Sequence, residues 1–357
     1  MDKRQFIKSC AVAASFIPLA SCANVIAAPS AKSNQALAAP AQLLPIAFNP
    51  GDTVALVSPS KATDNLLDVQ IATEVMQALG LKVKVGQHLT SRRGHLAGTD
   101  QQRANDINAM FADNEVKAII CLRGGSGAAR VLPLLDYALI KNNPKTLLGY
   151  SDITALHNAI HAQTGLITFH GPNGTGSWNS FNADQFRRVF FQREQMQYQN
   201  VIETKDELAA RQNRIVTITG GKVQGEIIGG NLTVLTSLAG SPYLPDFTDK
   251  ILFVEDVEEA PYRVDRMLST LKLMGALDKL AGFIFGECTS CRPTGGYGWL
   301  TMDQIFDDHI KPLNIPAYRG AMIGHIQKQF IVPVGAKVEM DADNGSFKLL
   351  QSVFQPT

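Results

Sequence analysis

The fold is indicated most directly by residues 116–127, which have the sequence VKAIICLRGGSG. The first part, from Val116 to Leu122, is almost wholly apolar, which predicts a strand buried on both faces. The glycines that follow predict a tight turn, and the pattern over 128–135 predicts a helix. A buried strand, a turn and a helix form the repeating unit of a parallel α/β sheet.

The same unit repeats on both sides of this stretch. Short apolar runs predict further strands at 53–57, 146–150 and 167–170, and residues 82–85 (KVKV) are predicted to form another strand. Helical patterns between them cover 66–79, 101–111 and 153–163. We therefore predict a parallel α/β domain, in which functional sites form beyond the carboxyl ends of the strands.

The second half of the chain has a different pattern. One helix is predicted at 264–274, and short strands are predicted at 223–228, 251–254, 281–285, 329–332 and 336–340. This pattern indicates a β-rich α+β domain, and 357 residues are enough for two domains. The predicted organisation is a signal peptide over 1–28, a flexible tether over 29–45, an N-terminal α/β domain over 46–172, a polar connector over 173–215 and a C-terminal β-rich domain over 216–357.

The composition is that of an ordinary globular protein, with 45% hydrophobic residues and a net charge of +1. Because there is no basic excess that could follow a phosphate backbone, we predict no nucleic-acid partner. No apolar run after the first 30 residues reaches the roughly 20 residues needed to span a bilayer. Any membrane contact is therefore expected only through the N-terminus.

The N-terminus is typical of an export signal. A basic segment at 2–8 precedes an apolar stretch at 11–20. Two processing sites stay open: residues 19–22, Leu-Ala-Ser-Cys, resemble a bacterial lipobox that would leave Cys22 lipidated, and a small-residue cleavage site ends at Ala27. In either case we expect a periplasmic protein, anchored by lipid if Cys22 is modified.

The cysteines give little support to a metal site. Cys288 and Cys291 have CxxC spacing, but one such pair supplies only two of the four ligands of a structural zinc site. We predict no metal and no cofactor. Two buried free thiols are the default interpretation, and a disulfide is the alternative in an exported protein. Cys121 is predicted to lie in the core.

Two turns at strand ends could carry chemistry. The glycine turn at 123–127 presents N–H groups that suit a phosphate or a developing oxyanion, although a turn without function is also open. The second turn has the sequence LGYSD over 148–152. Ser151 stands there between a strand and a helix, as in a nucleophile elbow that lacks its last glycine. The alternative is that Ser151 caps the following helix.

A nucleophilic serine needs a base, and the base needs a carboxylate that orients it. Glu255 ends an apolar run in the acidic stretch 253–259, whose other carboxylates are expected to be solvated or paired with Arg263 and Arg266. His325 follows a glycine near another predicted strand, and His170 also lies at a strand end. Spacing alone does not choose between these two histidines.

Taken in order, these segments resemble the LD-carboxypeptidase family of serine peptidases, whose relatives include the microcin C self-immunity peptidases. The matching stretches are 51–52 (GD), 58–59 (SP), 96–100 (LAGTD), 123–127 (RGGSG), 149–152 (GYSD), 170–172 (HGP), 229–232 (GGNL), 254–257 (VEDV), 261–266 (PYRVDR) and 324–325 (GH). The resemblance implies a flavodoxin-like N-terminal domain with a parallel sheet and a β-rich, swivelling C-terminal domain.

The resemblance also implies a site and a reaction. Ser151 would be the nucleophile, His325 the general base and Glu255 its orienting partner, with an oxyanion hole from the N–H groups of Asp152 and Gly125. The expected reaction releases the terminal D-alanine of murein tetrapeptides. Candidates for binding the substrate carboxylate are Arg123 and Arg263.

Two other functions are weighed against this one. A microcin-immunity type of peptidase would cleave aminoacyl or peptidyl nucleotides and needs an aromatic stacking residue, for which Trp178 is a candidate. A non-catalytic murein-binding lipoprotein would have no need of the three triad residues together. For the oligomeric state, a monomer and a homodimer both stay open.

Overall fold

The computed structural model describes residues 40–202, 204, 208–210, 212–293 and 298–356. The signal peptide, Cys22 and the tether up to residue 39 lie outside these residues. In chain order the strands are β1 (Thr53–Val57), β2 (Lys82–Val85), β3 (Val116–Cys121), β4 (Thr146–Gly149), β5 (Thr168–His170), β6 (Gln197–Gln199), β7 (Val216–Thr219), β8 (Lys222–Asn231), β9 (Lys250–Val257), β10 (Gly282–Thr289), β11 (Ala317–Arg319), β12 (Val332–Val334), β13 (Lys337–Asp341) and β14 (Ser346–Leu349).

The α-helices lie mostly between these strands, as the sequence pattern predicts. They are α1 (Leu66–Ala78), α2 (Asp100–Ala112), α3 (Tyr137–Asn142), α4 (Thr154–Thr164), α5 (Ser180–Phe186), α6 (Leu232–Ser237), α7 (Pro261–Leu273) and α8 (Met302–His309). The helix predicted at 128–135 is instead a 3₁₀ helix, Ala128–Leu134. Pro133 lies inside this helix, where it cannot donate an α-helical hydrogen bond.

The first sheet has the strand order β12-β5-β4-β3-β1-β2. Strands β1 to β5 run parallel to one another, which confirms the predicted α/β fold. The apolar residues of β1 and β3 are buried, including Val54 to Val57 and Ile119 to Cys121, whereas the edge strand β2 is largely exposed. Burial also raises the pKa of the Cys121 thiol, so this cysteine belongs to the core as predicted.

The sixth strand of this sheet comes from the far end of the chain. β12 pairs antiparallel with β5, placing Val332 opposite His170. The sequence pattern predicted a strand at 329–332 in the second domain, and that placement is wrong. A short apolar run predicts a buried strand, but it carries no information on which of two sheets the strand joins.

The second sheet has the strand order β6-β14-β13-β8-β9-β10-β11-β7. Strands β8 to β11 are parallel, and antiparallel strands flank them on both sides. Helices α6, α7 and α8 pack against this sheet through buried side chains such as Leu235, Leu268 and Ile305. The result is a β-rich mixed sheet with helices, which agrees with the predicted class.

The segment 173–215 is more than the polar connector that we predicted. It contains α5, a π-helical continuation at Arg187–Phe191, and β6, which pairs with β14. Phe186, Phe190 and Tyr198 are buried in the core of the molecule. The charged residues between these aromatics obscured the pattern.

Two further expectations are wrong in part. The end of the predicted tether packs on the fold, because the Leu43 N–H donates to the Gly165 carbonyl and Leu43 forms a bridge with Leu166. Cys288 and Cys291 form a disulfide and are not free thiols. In the part of the chain that the structure describes, no helix is long and apolar enough to cross a membrane.

Candidate active site

The turn after β4 holds Ser151 in an unusual backbone conformation. Ser151 has a φ of 66°, in the left-handed region that non-glycine residues seldom adopt. Such a conformation costs about 1–3 kcal/mol and is a frequent feature of catalytic residues. The serine opens a 3₁₀ turn, Ser151–Ile153, and its side chain caps neither that turn nor α4. The helix-cap alternative for Ser151 is therefore wrong.

Three side chains from separate elements meet at this turn. The Oγ of Ser151 lies 3.0 Å from Nε2 of His325, and Nδ1 of His325 lies 2.8 Å from Oε2 of Glu255. Glu255 is on β9 and is 0% exposed, whereas His325 follows β11. Because an ionised carboxylate only accepts hydrogen bonds, Nδ1 carries the proton and Nε2 accepts from the serine hydroxyl.

The loop that carries His325 is fixed on both sides of the histidine. Gly324 has a φ of 125°, and a Cβ there would lie 2.9 Å from Oε2 of Glu255. Glycine is therefore needed for the chain to pass this carboxylate. On the other side, the Thr289 hydroxyl donates to the carbonyl of His325 at 3.0 Å. Thr289 lies in the turn that the disulfide between Cys288 and Cys291 closes.

The acidic surroundings set the proton affinity of His325. Burial lowers the pKa of His325, but the hydrogen bond and charge of Glu255 outweigh it, with smaller contributions from Asp256 and Glu258. The pKa of the imidazole is therefore raised from its usual value. Burial raises the pKa of Asp256 to about 6, helped by the neighbouring Glu255 charge. The Asp256 carboxylate accepts hydrogen bonds from the Asn231 side-chain amide and from the Thr233 N–H, and these bonds hold it at the start of α6.

His170, the other candidate base, has a different environment. Its ring is fully buried and packs edge-on against Phe253 at 5.4 Å between ring centroids. Burial, together with the charges of His157 and His325, holds the pKa of His170 well below the usual value. His157 is also buried, and its Nε2 donates to the Gly149 carbonyl. The structure thus selects His325, which the sequence spacing could not do.

The glycine turn lies directly against the nucleophile. A Cβ added at Gly124 would lie 2.8 Å from Cβ and 3.1 Å from Oγ of Ser151. Gly125 has a φ of 121° and follows in the same turn. The backbone can approach the serine this closely only because residue 124 lacks a side chain. Gly125 and Asp152, the two predicted oxyanion donors, are thus both in turns that border Ser151.

The side chain of Asp152 ties these turns together, a role that the sequence did not indicate. The carboxylate is 6% exposed, and its Oδ2 accepts hydrogen bonds from the Ser60 hydroxyl and from the Ala128 N–H, the latter at 2.8 Å. Ser60 follows β1, and Ala128 follows the glycine turn. One buried carboxylate therefore connects three loops around the nucleophile.

The Arg103 side chain also connects these loops through hydrogen bonds. Its side chain is 0% exposed and donates to the carbonyls of Pro59 and Gly127, as well as to Asp100. Burial lowers the pKa of Arg103, and the hydrogen bond with Asp100 opposes this effect. An arginine in a helix pattern is usually exposed, so the sequence alone gave no sign of this contact.

The predicted carboxylate-binding arginines are both engaged with acidic side chains. Arg123 lies 3.9 Å from Asp68 on α1. Arg263 lies 3.5 Å from Glu259, and its Nε donates to the Tyr262 hydroxyl.

Trp178, the candidate for nucleotide stacking, is also occupied. Its indole N–H donates to the Asn173 carbonyl, and its ring packs against Phe186 at 5.6 Å between centroids. Across the described ranges, no group of three or more His, Cys, Asp or Glu side chains is arranged to hold a metal ion.

The serine is hydrogen-bonded to a histidine, which is hydrogen-bonded to a buried carboxylate, and a glycine turn lies beside them. This arrangement on an α/β fold defines a serine hydrolase. Comparison with known proteins specifies the family. Residues 54–171 match the LD-carboxypeptidase N-terminal domain, and residues 224–340 match the LD-carboxypeptidase C-terminal domain. The chain belongs to the LD-carboxypeptidase family, which makes it a serine peptidase.

Individual relatives agree with this placement. A probable murein peptide carboxypeptidase of Bacillus subtilis is 39% identical over 303 residues, covering 83% of this chain and 91% of the relative. The wild-type microcin self-immunity protein MccF superposes with a TM-score of 0.79 at 27% identity, covering 88% of this chain and 100% of MccF. The muramoyltetrapeptide carboxypeptidase of Oxalobacter formigenes gives 0.71 at 27% identity, covering 83% and 97%.

Proposed function

We propose that this chain is an exported carboxypeptidase that hydrolyses the amide bond before the terminal D-alanine of murein tetrapeptides. The observation that carries the proposal is the hydrogen-bonded line from Ser151 through His325 to Glu255 beside the glycine turn. Relatives that are named murein peptide carboxypeptidase and muramoyltetrapeptide carboxypeptidase support the choice of substrate.

In the first half of the reaction, the Oγ of Ser151 attacks the scissile carbonyl carbon. Nε2 of His325 accepts the hydroxyl proton, and Glu255 stabilises the imidazolium that forms. The carbonyl oxygen gains negative charge, which the N–H groups of Gly125 and Asp152 would stabilise. The C–N bond then breaks, and Nε2 returns the proton to the departing amine of D-alanine.

In the second half, water enters where D-alanine has left. His325 takes a proton from this water, and the resulting hydroxide attacks the acyl carbon on Ser151. Collapse of the second tetrahedral intermediate breaks the bond to Oγ, which regains the proton from Nε2. The products are the tripeptide and free D-alanine, and no net proton is retained by the site.

The triad geometry also bears on the two alternative functions. A binding protein has no use for a strained serine that is hydrogen-bonded to a histidine with a raised pKa. A nucleotide-cleaving function needs a stacking surface, but Trp178 is packed against Phe186. We therefore favour the carboxypeptidase over both alternatives.

The activity is tested by incubating the mature protein with the tetrapeptide L-Ala-D-Glu-diaminopimelate-D-Ala and measuring released D-alanine. We expect release by the wild type and none by Ser151→Ala, because only the hydroxyl supplies the nucleophile. An aminoacyl sulfamoyl adenosine serves as the competing substrate. Equal release by Ser151→Ala, or turnover of the nucleotide alone, would refute the proposal.

Export and anchoring form a separate part of the proposal, supported by the basic segment, the apolar stretch and the lipobox-like residues before Cys22. We expect cells that express the full chain to incorporate labelled palmitate into it. The Cys22→Ala variant should remain unlabelled. An unlabelled wild type that is still processed near Ala27 would show that the protein is exported without a lipid anchor.

A further inference from the structure

The proposed substrate ends in a carboxylate, and the position of its binding site can be worked out from covalent geometry. Only the amide nitrogen and one α-carbon separate the scissile carbonyl carbon from the terminal carboxyl carbon. Bond lengths of about 1.3 to 1.5 Å place these two carbons at most about 4 Å apart. A cation that pairs with the carboxylate must therefore stand very close to the oxyanion-binding turn.

Lys61 borders this turn. It lies in the loop after β1, and its backbone N–H donates to the carbonyl of Gly124. The neighbouring residues are fixed too, since the Ala62 N–H donates to the His95 carbonyl and the Ala97 N–H donates to the Ser60 carbonyl. The backbone of Lys61 is thus held beside the turn that touches the nucleophile.

The side chain of Lys61 follows the predicted oxyanion donor Gly125. A Cβ added at Gly125 would lie 2.5 Å from Cβ and 3.4 Å from Cδ of Lys61. The aliphatic part of the lysine therefore covers the face of Gly125. The side chain keeps 40% of its surface exposed, so its ammonium group is accessible to a ligand.

The present partner of this ammonium group can be replaced without leaving an unpaired charge. Nζ of Lys61 lies 3.6 Å from Asp64, whose side chain is 60% exposed. Asp64 is bound at 2.7 Å by Arg92, whose hydrogen bond is the main cause that lowers the pKa of this carboxyl group. An exposed ion pair of this kind is weakened by solvent screening. Asp64 keeps Arg92 when Lys61 turns to another carboxylate.

We propose that Lys61 binds the terminal carboxylate of the substrate and so makes the enzyme a carboxypeptidase. This inference rests on the proposed function, since it concerns the group that the leaving D-alanine carries. We choose Lys61 over Arg123 and Arg263 because its side chain packs directly against Gly125, the predicted oxyanion donor. A charge-assisted hydrogen bond to the substrate is expected to raise kcat/KM by about 10- to 100-fold.

The test compares two tetrapeptides, one ending in D-alanine and the other in D-alaninamide, which lacks the negative charge. We expect the wild type to prefer the acid by about 10- to 100-fold in kcat/KM. In Lys61→Met, which keeps the aliphatic length, this preference should fall to near one, with little change for the amide. Arg123→Met and Arg263→Met serve as charge-matched controls and should keep the wild-type preference.

Binding to a Ser151→Ala background, measured by calorimetry, separates failure of this inference from failure of the proposed function. Loss of acid-over-amide discrimination on adding Lys61→Met supports the inference, even if the wild type releases no D-alanine. Undiminished discrimination in Lys61→Met overturns it, and its loss in Arg123→Met would assign the role to that arginine. Failure of both peptides to bind would overturn the inference together with the proposed substrate.

Discussion

Replacement of Glu255 by glutamine tests the electrostatic basis of the site. The carboxylate is fully buried, and its Oε2 lies 2.8 Å from Nδ1 of His325. At an effective dielectric constant of about 20, opposite charges about 4 Å apart attract by about 4 kcal/mol. That energy stabilises the imidazolium in the transition state, and it corresponds to about a thousandfold in rate.

A second effect acts in the same direction. The glutamine amide can donate to Nδ1, which would leave the proton on Nε2 and remove the acceptor for the serine hydroxyl. We therefore expect Glu255→Gln to lower kcat/KM for D-alanine release by about 10³- to 10⁴-fold. The assay is single-substrate kinetics with the tetrapeptide, accompanied by a thermal unfolding curve that verifies folding.

The pH profile distinguishes loss of charge from a general disturbance. His325 acts as a base only when neutral, so activity falls as the pH drops through its pKa. Glu255 raises this pKa in the wild type, so the acid limb should lie above the usual histidine value of 6.5. In Glu255→Gln burial dominates, and the acid limb should move to lower pH.

Glu258→Gln is the matched control, because it removes the same charge from an exposed side chain that contributes less to the pKa of His325. It should change kcat/KM by no more than about threefold, since exposed charges are screened. A rate in Glu255→Gln within about tenfold of the wild type would refute the orienting role. A large rate loss with an unmoved acid limb would refute the electrostatic reasoning.

Three further substitutions test the frame of the site. Ser151→Gly should be inactive but more stable than Ser151→Ala by about 1 kcal/mol in urea unfolding, because glycine accepts the left-handed backbone; equal stability would contradict the strain. Gly124→Ala should lower kcat by about 100-fold, since its methyl group would lie 2.8 Å from Cβ of Ser151; unchanged kcat would show that the turn can move away. Arg103→Met should reduce the free energy of unfolding by about 3 kcal/mol, because the carbonyls of Pro59 and Gly127 lose a buried hydrogen-bond donor. A reduction below about 1 kcal/mol would mean that water replaces the guanidinium group.

The sequence predicted the first sheet well because its inner strands β1, β3, β4 and β5 are buried on both faces and are therefore continuous apolar runs. The sequence failed to predict two other features, where the apolar pattern was ambiguous or interrupted by charged residues. The run around Val332 indicated a strand but not its sheet, and the charges around Phe186 and Phe190 obscured a buried helix.

The sequence predicted some residues of the site and missed others, because local patterns do not report contacts between distant parts of the chain. The strand-end position of Ser151 was readable locally, but the choice of His325 over His170 depends on contacts between residues far apart in the chain. Only the family resemblance supplied that choice before the structure did. The buried links made by Asp152 and Arg103 had no sequence signal, since their residue types are normally exposed.

The return of β12 to the first sheet has a consequence for biosynthesis. Until residues 332–334 are made and delivered, the outer side of β5 has no neighbour, and an open strand edge invites association with other chains. His325 also comes from this late part of the chain, so a partial product has the serine but lacks its base. The enzyme is therefore expected to be inactive during its synthesis, and to become active only after the segment with His325 and β12 has folded onto the first sheet.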